Sequence, residues 1–215
     1  MDYDIIFKKD VYVIKILKYM KAKMMKFYYL RLPFLSSNIK RKSFYKFVED
    51  GYTEVIYKDL VLTDNAVVFD VGGFRGEFTD EIQKSCDCNI YIFEPVKEYF
   101  DLIVEKQQNN TKVHVYNYGL GGAAMDAKIN KLGASSSVFI DSKNNDQFQE
   151  IKIESITEFI WSNNIYKIDL IKINIEGGEY DLLDSLVKNQ EIINSVNTLL
   201  IQFHDFIPDA AKKRN

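Results

Sequence analysis

The chain has 215 residues and a formal charge of −3, with 47% hydrophobic, 14% aromatic and 27% charged residues. So much apolar composition excludes a wholly disordered chain, and three prolines with ten glycines exclude a collagen-like or low-complexity one. No run of 18 or more apolar residues occurs, which excludes a conventional spanning helix, and Asp2 and Asp4 followed by lysines leave no signal-peptide apolar region.

The small net charge hides two unlike parts. Residues 1–50 carry twelve Lys and Arg against five acids, a balance of +7 that leaves −10 for the remainder. This arm, residues 1–50, is also apolar at helical spacing (Val13, Ile16, Leu17, Met20, Met24, Phe27, Leu30), with aromatics before Pro33. The spacing predicts a basic amphipathic helical extension. Packing of its stripe on the domain is the favoured reading, and peripheral contact with an anionic membrane is the alternative.

From residue 51 to 215 short apolar runs alternate with helical stretches, as in βαβ units around a mostly parallel sheet flanked by helices. Strands are predicted at Ala66–Val71, Ile90–Phe93, Lys112–Tyr118, Leu170–Ile175 and Thr198–Phe203. Helices are predicted at Glu77–Ser85, Val96–Gln108, Ser155–Ser162 and Gly178–Lys188. The polar, glycine-containing stretch Gly119–Asp146 reads as a loop. Cys86 and Cys88, one residue apart, read as two reduced cytosolic thiols. Only His114 and His204 could join them around a soft metal, so no metal site is expected.

The first strand runs into Asp70-Val71-Gly72-Gly73-Phe74-Arg75-Gly76, a glycine turn opening a helix. Such a turn lets a ligand approach the main chain without a Cβ in the way. Val71 occupies the first glycine position of the dinucleotide fingerprint, so a pyrophosphate cofactor is disfavoured. The second strand ends at Glu94-Pro95, where a carboxylate can accept both hydroxyls of an adenosine ribose. Together these point to an adenosine ligand without a pyrophosphate, a description that suits S-adenosylmethionine.

Further along, alternation across Leu170–Glu176 puts Lys172, Asn174 and Glu176 on one face of an otherwise apolar strand. Three polar groups in a row are costly to bury unless they pair or meet a ligand. Glu176 is a candidate base, Lys172 a group that pairs with it or offsets charge on the acceptor, and Glu179 lies within reach. His204, at the tip of the last strand beside Asp205, is a second candidate base, whereas His114 reads as structural.

These segments resemble the FkbM family of S-adenosylmethionine-dependent class I methyltransferases. The resemblance rests on residues 69–76, on Phe93-Glu94-Pro95 and, most specifically, on residues 169–179, and it covers Val67 to Phe206. It implies a Rossmann-like sheet and O-methyl transfer, in many relatives to a hydroxyl of a sugar or polysaccharide intermediate. Asp70, Gly72, Gly73, Gly76 and Glu94 would bind the donor, and Asn117 or Tyr118 would approach its adenine. Ser135-Ser136-Ser137 would border the acceptor pocket. Asn174 stands where the family usually shows Asp. The sheet is expected to lack the last two strands of the class I fold, since the sequence stops soon after its fifth strand. The expected partners are a small-molecule or glycan acceptor and no nucleic acid, in a cytoplasmic setting. The rival readings are an NAD-linked oxidoreductase on the same architecture and a non-catalytic, truncated donor-binding module.

Overall fold

The computed structural model describes residues 60–130 and 148–203, and the backbone of two short strands nearer the N-terminus. Those two are β1 (Ile6–Lys8) and β2 (Val11–Lys15). The main succession is β3 (Val67–Val71), α1 (Glu77–Gln83), β4 (Asn89–Phe93), α2 (Lys97–Gln107) and β5 (Val113–Tyr116). An insert follows, with β6 (Gly119–Gly121), β7 (Met125–Asn130) and β8 (Phe148–Ser155). The chain then resumes with α3 (Ile156–Ser162), β9 (Leu170–Ile173), α4 (Glu179–Lys188), α5 (Gln190–Ser195) and β10 (Thr198–Ile201).

Strands β10, β9, β3, β4 and β5 pair in parallel in that spatial order. Branched and aromatic residues fill both faces, as burial under two helix layers requires. On one side α1 and α2 cover Val68, Ile90, Ile92, Leu170 and Leu200 with Phe78, Ile82 and Ile103. On the other, α3, α4 and α5 cover Phe69, Val71, Phe93, Ile171, Ile173 and Leu199. From β3 the chain winds one way to β4 and β5, and later enters β9 on β3's other flank. The strand order therefore reverses beside β3, and the crevice at the carboxyl ends of the strands there is where open α/β sheets take ligands.

Several expectations change. Val13 lies in β2, where helical spacing predicts a helix. β2 pairs in parallel with β10, and β1 runs antiparallel to β2, so these two strands extend the sheet beyond β10. An extended pairing partner at the sheet edge outweighs a local 3.6-residue period. The rest of the predicted amphipathic helix lies outside the described residues. β5 stops at Tyr116 and β9 at Ile173, each two residues short of its predicted end.

Part of the predicted loop Gly119–Asp146 is structured: β6 and β7 flank β8 in a three-stranded sheet. Its inner side chains Ala127, Ile129, Ile151 and Ile153 pack on Val96 and Tyr99 of the α2 start and on Phe74 of the glycine turn. The bend after β6 rests on α4, where a Cβ on Gly122 would run into the Asp181 carbonyl oxygen.

Cys86 and Cys88 are not separate thiols. The bend between α1 and β4 brings their Cα atoms to 5.4 Å, within disulfide range, and the sulfurs are bonded. Among the described residues no helix is long and apolar enough to cross a membrane.

Candidate functional site

The site is built where β3, β4 and β9 end. Leaving β3, the chain turns through three left-handed residues, Gly72 (φ 86°), Phe74 (φ 51°) and Gly76 (φ 77°), and Gly76 then caps α1. The amides of Gly72 and Gly73 both donate to the Phe93 carbonyl, at 3.0 and 3.2 Å. That of Gly76 donates to Gly73 at 2.8 Å, and that of Phe74 to Glu94 Oε2 at 2.7 Å. Four of the turn's N–H groups, those of Gly72, Gly73, Phe74 and Gly76, are thus consumed within the protein rather than offered to a ligand. The glycines serve close backbone packing: a Cβ on Gly72 would run into the Asn174 carbonyl oxygen, and one on Gly73 into the Ile92 side chain.

Phe74 keeps its uncommon conformation because its ring is packed. It meets Tyr99 edge-on at 4.5 Å, and the Arg75 guanidinium lies 5.2 Å from its centroid.

Glu94 follows β4 directly and is 5% exposed. Oε2 receives the Phe74 amide, and Oε1 receives the Val96 amide at 2.8 Å. The carboxylate therefore joins the glycine turn to the α2 start, and each oxygen keeps a second lone pair. Burial pushes its pKa up to about 7, against the opposing pull of the two amides and Lys172, with Asp70 adding to the rise.

Asp70, fully buried, accepts from Thr79 Oγ1 at 3.1 Å and from Lys172 Nζ at 2.8 Å. The same ammonium donates to the Gly72 carbonyl at 2.6 Å and lies 5.8 Å from the Phe78 ring. Asn117 donates from Nδ2 to the carbonyls of Glu94 and Pro95, at 3.1 and 3.3 Å. Tyr118 sits against Tyr116 and Phe93, and burial pushes its phenol up to about 12.

β9 gives way to a turn at Asn174–Gly178, so strand alternation does not carry Glu176 onto the face of Lys172. Glu176 is half-buried with φ 52°, and Gly177 has φ 116°. That strained turn is held by Glu179, fully buried at the first position of α4, which accepts from the amides of Ile175 (3.2 Å) and Gly177 (3.0 Å). Its negative charge also suits a helix N-terminus. Glu179→Ala strands both amides and is expected to cost about 2–3 kcal/mol, read as a lowered urea midpoint, while Glu179→Gln recovers part by keeping one acceptor.

Asn174 Oδ1, by contrast, is buried beside this turn with no hydrogen-bond partner among the described residues. His204 and Ser135–Ser137 lie outside the described residues. Sequence reasoning missed Phe74, whose ring joins that turn to the insert, and the buried support that Thr79 gives Asp70, whose only signal is its place in the helix after the glycine turn.

Residues 70–213 match the family model described as "Methyltransferase FkbM domain". The chain belongs to the FkbM methyltransferase family. The match begins at Asp70 and so takes in the glycine turn, Glu94 and the β9 turn. This FkbM chain is 24% identical over 144 residues to the hexuronic acid methyltransferase AglP of Haloferax volcanii, a stretch covering 66% of this chain. It spans 57% of that relative's length. The FkbM chain also resembles the crystal structure of methyltransferase FkbM from Methylobacillus flagellatus KT, with 15% identity and a TM-score of 0.43. That superposition covers 61% of this chain and 31% of the other.

Proposed function

We propose that this FkbM chain is an S-adenosylmethionine-dependent O-methyltransferase acting on a hydroxyl of a sugar or related glycan intermediate. The observation that carries the donor assignment is Glu94: a buried carboxylate fixed at the carboxyl end of β4 by two backbone amides, with lone pairs left for the ribose hydroxyls. The unpartnered Asn174 Oδ1 fits the same ligand, whose ammonium group is a donor. A dinucleotide fits less well, because the amides of Gly72, Gly73, Phe74 and Gly76 are spent internally and cannot receive a pyrophosphate. Support for the acceptor class comes from the relative named for hexuronic acid methylation.

Bound, S-adenosylmethionine supplies an electrophilic methyl group. The protein holds the donor through Glu94 and the glycine turn, with Asn117 and Tyr118 bordering the end of β5. It brings an acceptor hydroxyl into line, and alignment of two bound reactants supplies much of the acceleration. Glu176 and His204 are the candidate bases for the hydroxyl proton.

Calorimetry is expected to show binding of S-adenosylmethionine and none of NAD; the reverse result overturns the assignment. In a methyl-transfer assay on hexuronic-acid and neutral glycosides, Glu176→Gln or His204→Ala should lower kcat by about 10²–10⁴ with donor affinity retained. Unchanged turnover in both variants removes both from the mechanism.

A further inference from the structure

We propose that Lys172 is a positioning residue for the methyl donor: its ammonium holds the Gly72–Gly76 turn in its ligand-binding shape from beneath. This rests on the donor reading above for its functional consequence, though not for its structural one.

Three observations converge. Lys172 is 8% exposed, and its Nζ donates to Asp70 Oδ1 at 2.8 Å and to the Gly72 carbonyl at 2.6 Å. Parallel pairing sets Asp70 directly opposite Lys172 across β3 and β9, so the two side chains emerge on the same face. The Gly72 carbonyl belongs to a residue at φ 86°, whose amide and that of Gly73 are tied to Phe93 on the other side. Lys172 therefore fixes one edge of the left-handed turn while β4 fixes the other. Asp70 neutralises the ammonium, and Thr79 steadies Asp70 through the 3.1 Å hydroxyl bond.

A simple buried ion pair would need only Asp70. The bond to Gly72 makes Lys172 specific to the turn, and it leaves Lys172 committed on the donor side rather than to proton transfer at the acceptor.

The test compares wild type with three variants. Lys172→Met leaves Asp70 buried and uncompensated. Asp70→Asn with Lys172→Met removes both charges and restores a satisfiable core, but leaves the Gly72 carbonyl without its donor. Thr79→Val loosens the same buried cluster without touching Gly72. Amide exchange in the ligand-free proteins should rise at least about tenfold at Gly72 and Gly73 in the double variant, with the β9 amides unchanged. S-adenosylhomocysteine affinity, read by calorimetry, should fall about tenfold or more in the same protein. Thr79→Val should lower the urea midpoint while leaving both of these readouts within threefold of wild type.

Wild-type exchange and affinity in a folded double variant would overturn the proposal, as would Thr79→Val reproducing the double variant's changes. Failure of wild type itself to bind S-adenosylhomocysteine would instead remove the donor assignment, with the exchange comparison still deciding whether Lys172 holds the turn.

Discussion

Gly72→Ala is expected to destabilise the protein by about 3–5 kcal/mol and to abolish measurable donor binding. Two separate costs add at this position. At φ 86° an L side chain is strained, which costs about 1–3 kcal/mol. The new Cβ also meets the Asn174 carbonyl oxygen, a backbone atom of the β9 turn that cannot rotate aside. Relief requires moving that turn away from β3, which also breaks the 3.0 Å hydrogen bond that the Asn174 amide donates to the Val71 carbonyl.

Gly73→Ala provides the internal comparison. Gly73 is not in the left-handed region, and its Cβ would meet the Ile92 side chain, which has rotamers to use. It should cost about 1–3 kcal/mol, as overpacking does. Chemical denaturation of both variants checks the ordering, and a Gly72→Ala midpoint equal to or above that of Gly73→Ala contradicts it.

Glu94 gives the second large effect, and its two consequences have opposite pH dependence. Its folded pKa is raised to about 7 from an ordinary value of 4.5. Between those values the native protein holds a proton that the unfolded chain has lost. The contribution to stability is therefore complete below pH 4.5, declines as pH rises, and is gone above pH 7, a span of about 3 kcal/mol. Glu94→Gln cannot ionise, so urea midpoints taken from pH 5 to pH 8 should flatten in that variant, apart from a constant loss for the amide nitrogen facing a backbone N–H.

Donor binding should respond the other way. Under the proposed function an ionised Glu94 would accept two ribose hydroxyls while keeping the Phe74 and Val96 amides, and a protonated one has fewer acceptor sites. Affinity for S-adenosylhomocysteine should thus fall as pH drops below 7. Glu94→Ala should weaken it at least a hundredfold, since two charge-assisted hydrogen bonds at about 1.5–3 kcal/mol each are lost. A pH-independent affinity together with tight binding by the Ala variant would refute Glu94 as the ribose ligand.

Strands β3, β4, β9 and β10 were legible because each is a run of branched or aromatic residues too short for a helix and apolar on both faces. The insert was not. One face of its β7–β8 ladder is wet, with Asp126, Lys128, Glu150 and Lys152 exposed, and neighbouring glycine and polar residues masked the alternation of Ala127, Ile129, Ile151 and Ile153. Sequences such as Glu150-Ile151-Lys152-Ile153-Glu154 do carry a period of two, and reading it there would have found β8.

At the site, Glu94 could be picked out because strand-end position and charge are local properties. The destination of the Lys172 ammonium could not, since its partners lie about one hundred residues back and are set by the β3–β9 register. The glycine turn was found for a reason only partly right. Its shape was readable, whereas the consumption of its amides by Phe93 and Glu94 depends on which strand becomes its neighbour.

The three-stranded insert packs on the glycine turn and the α2 start at one place and on α4 at another. Phe74 enters its apolar underside from the glycine turn, and the bend at Gly122 lies flush on the backbone of α4. The glycine turn and α4 are therefore bridged from outside by the described strands of the insert, which under the proposed function carry none of the residues assigned to the donor. A cavity cut at Ile129 or Ile151 is expected to free the Phe74 ring and, under the proposed function, to weaken donor binding from a distance. On that reading, substitutions in the insert tune cofactor retention without changing any residue assigned to the donor.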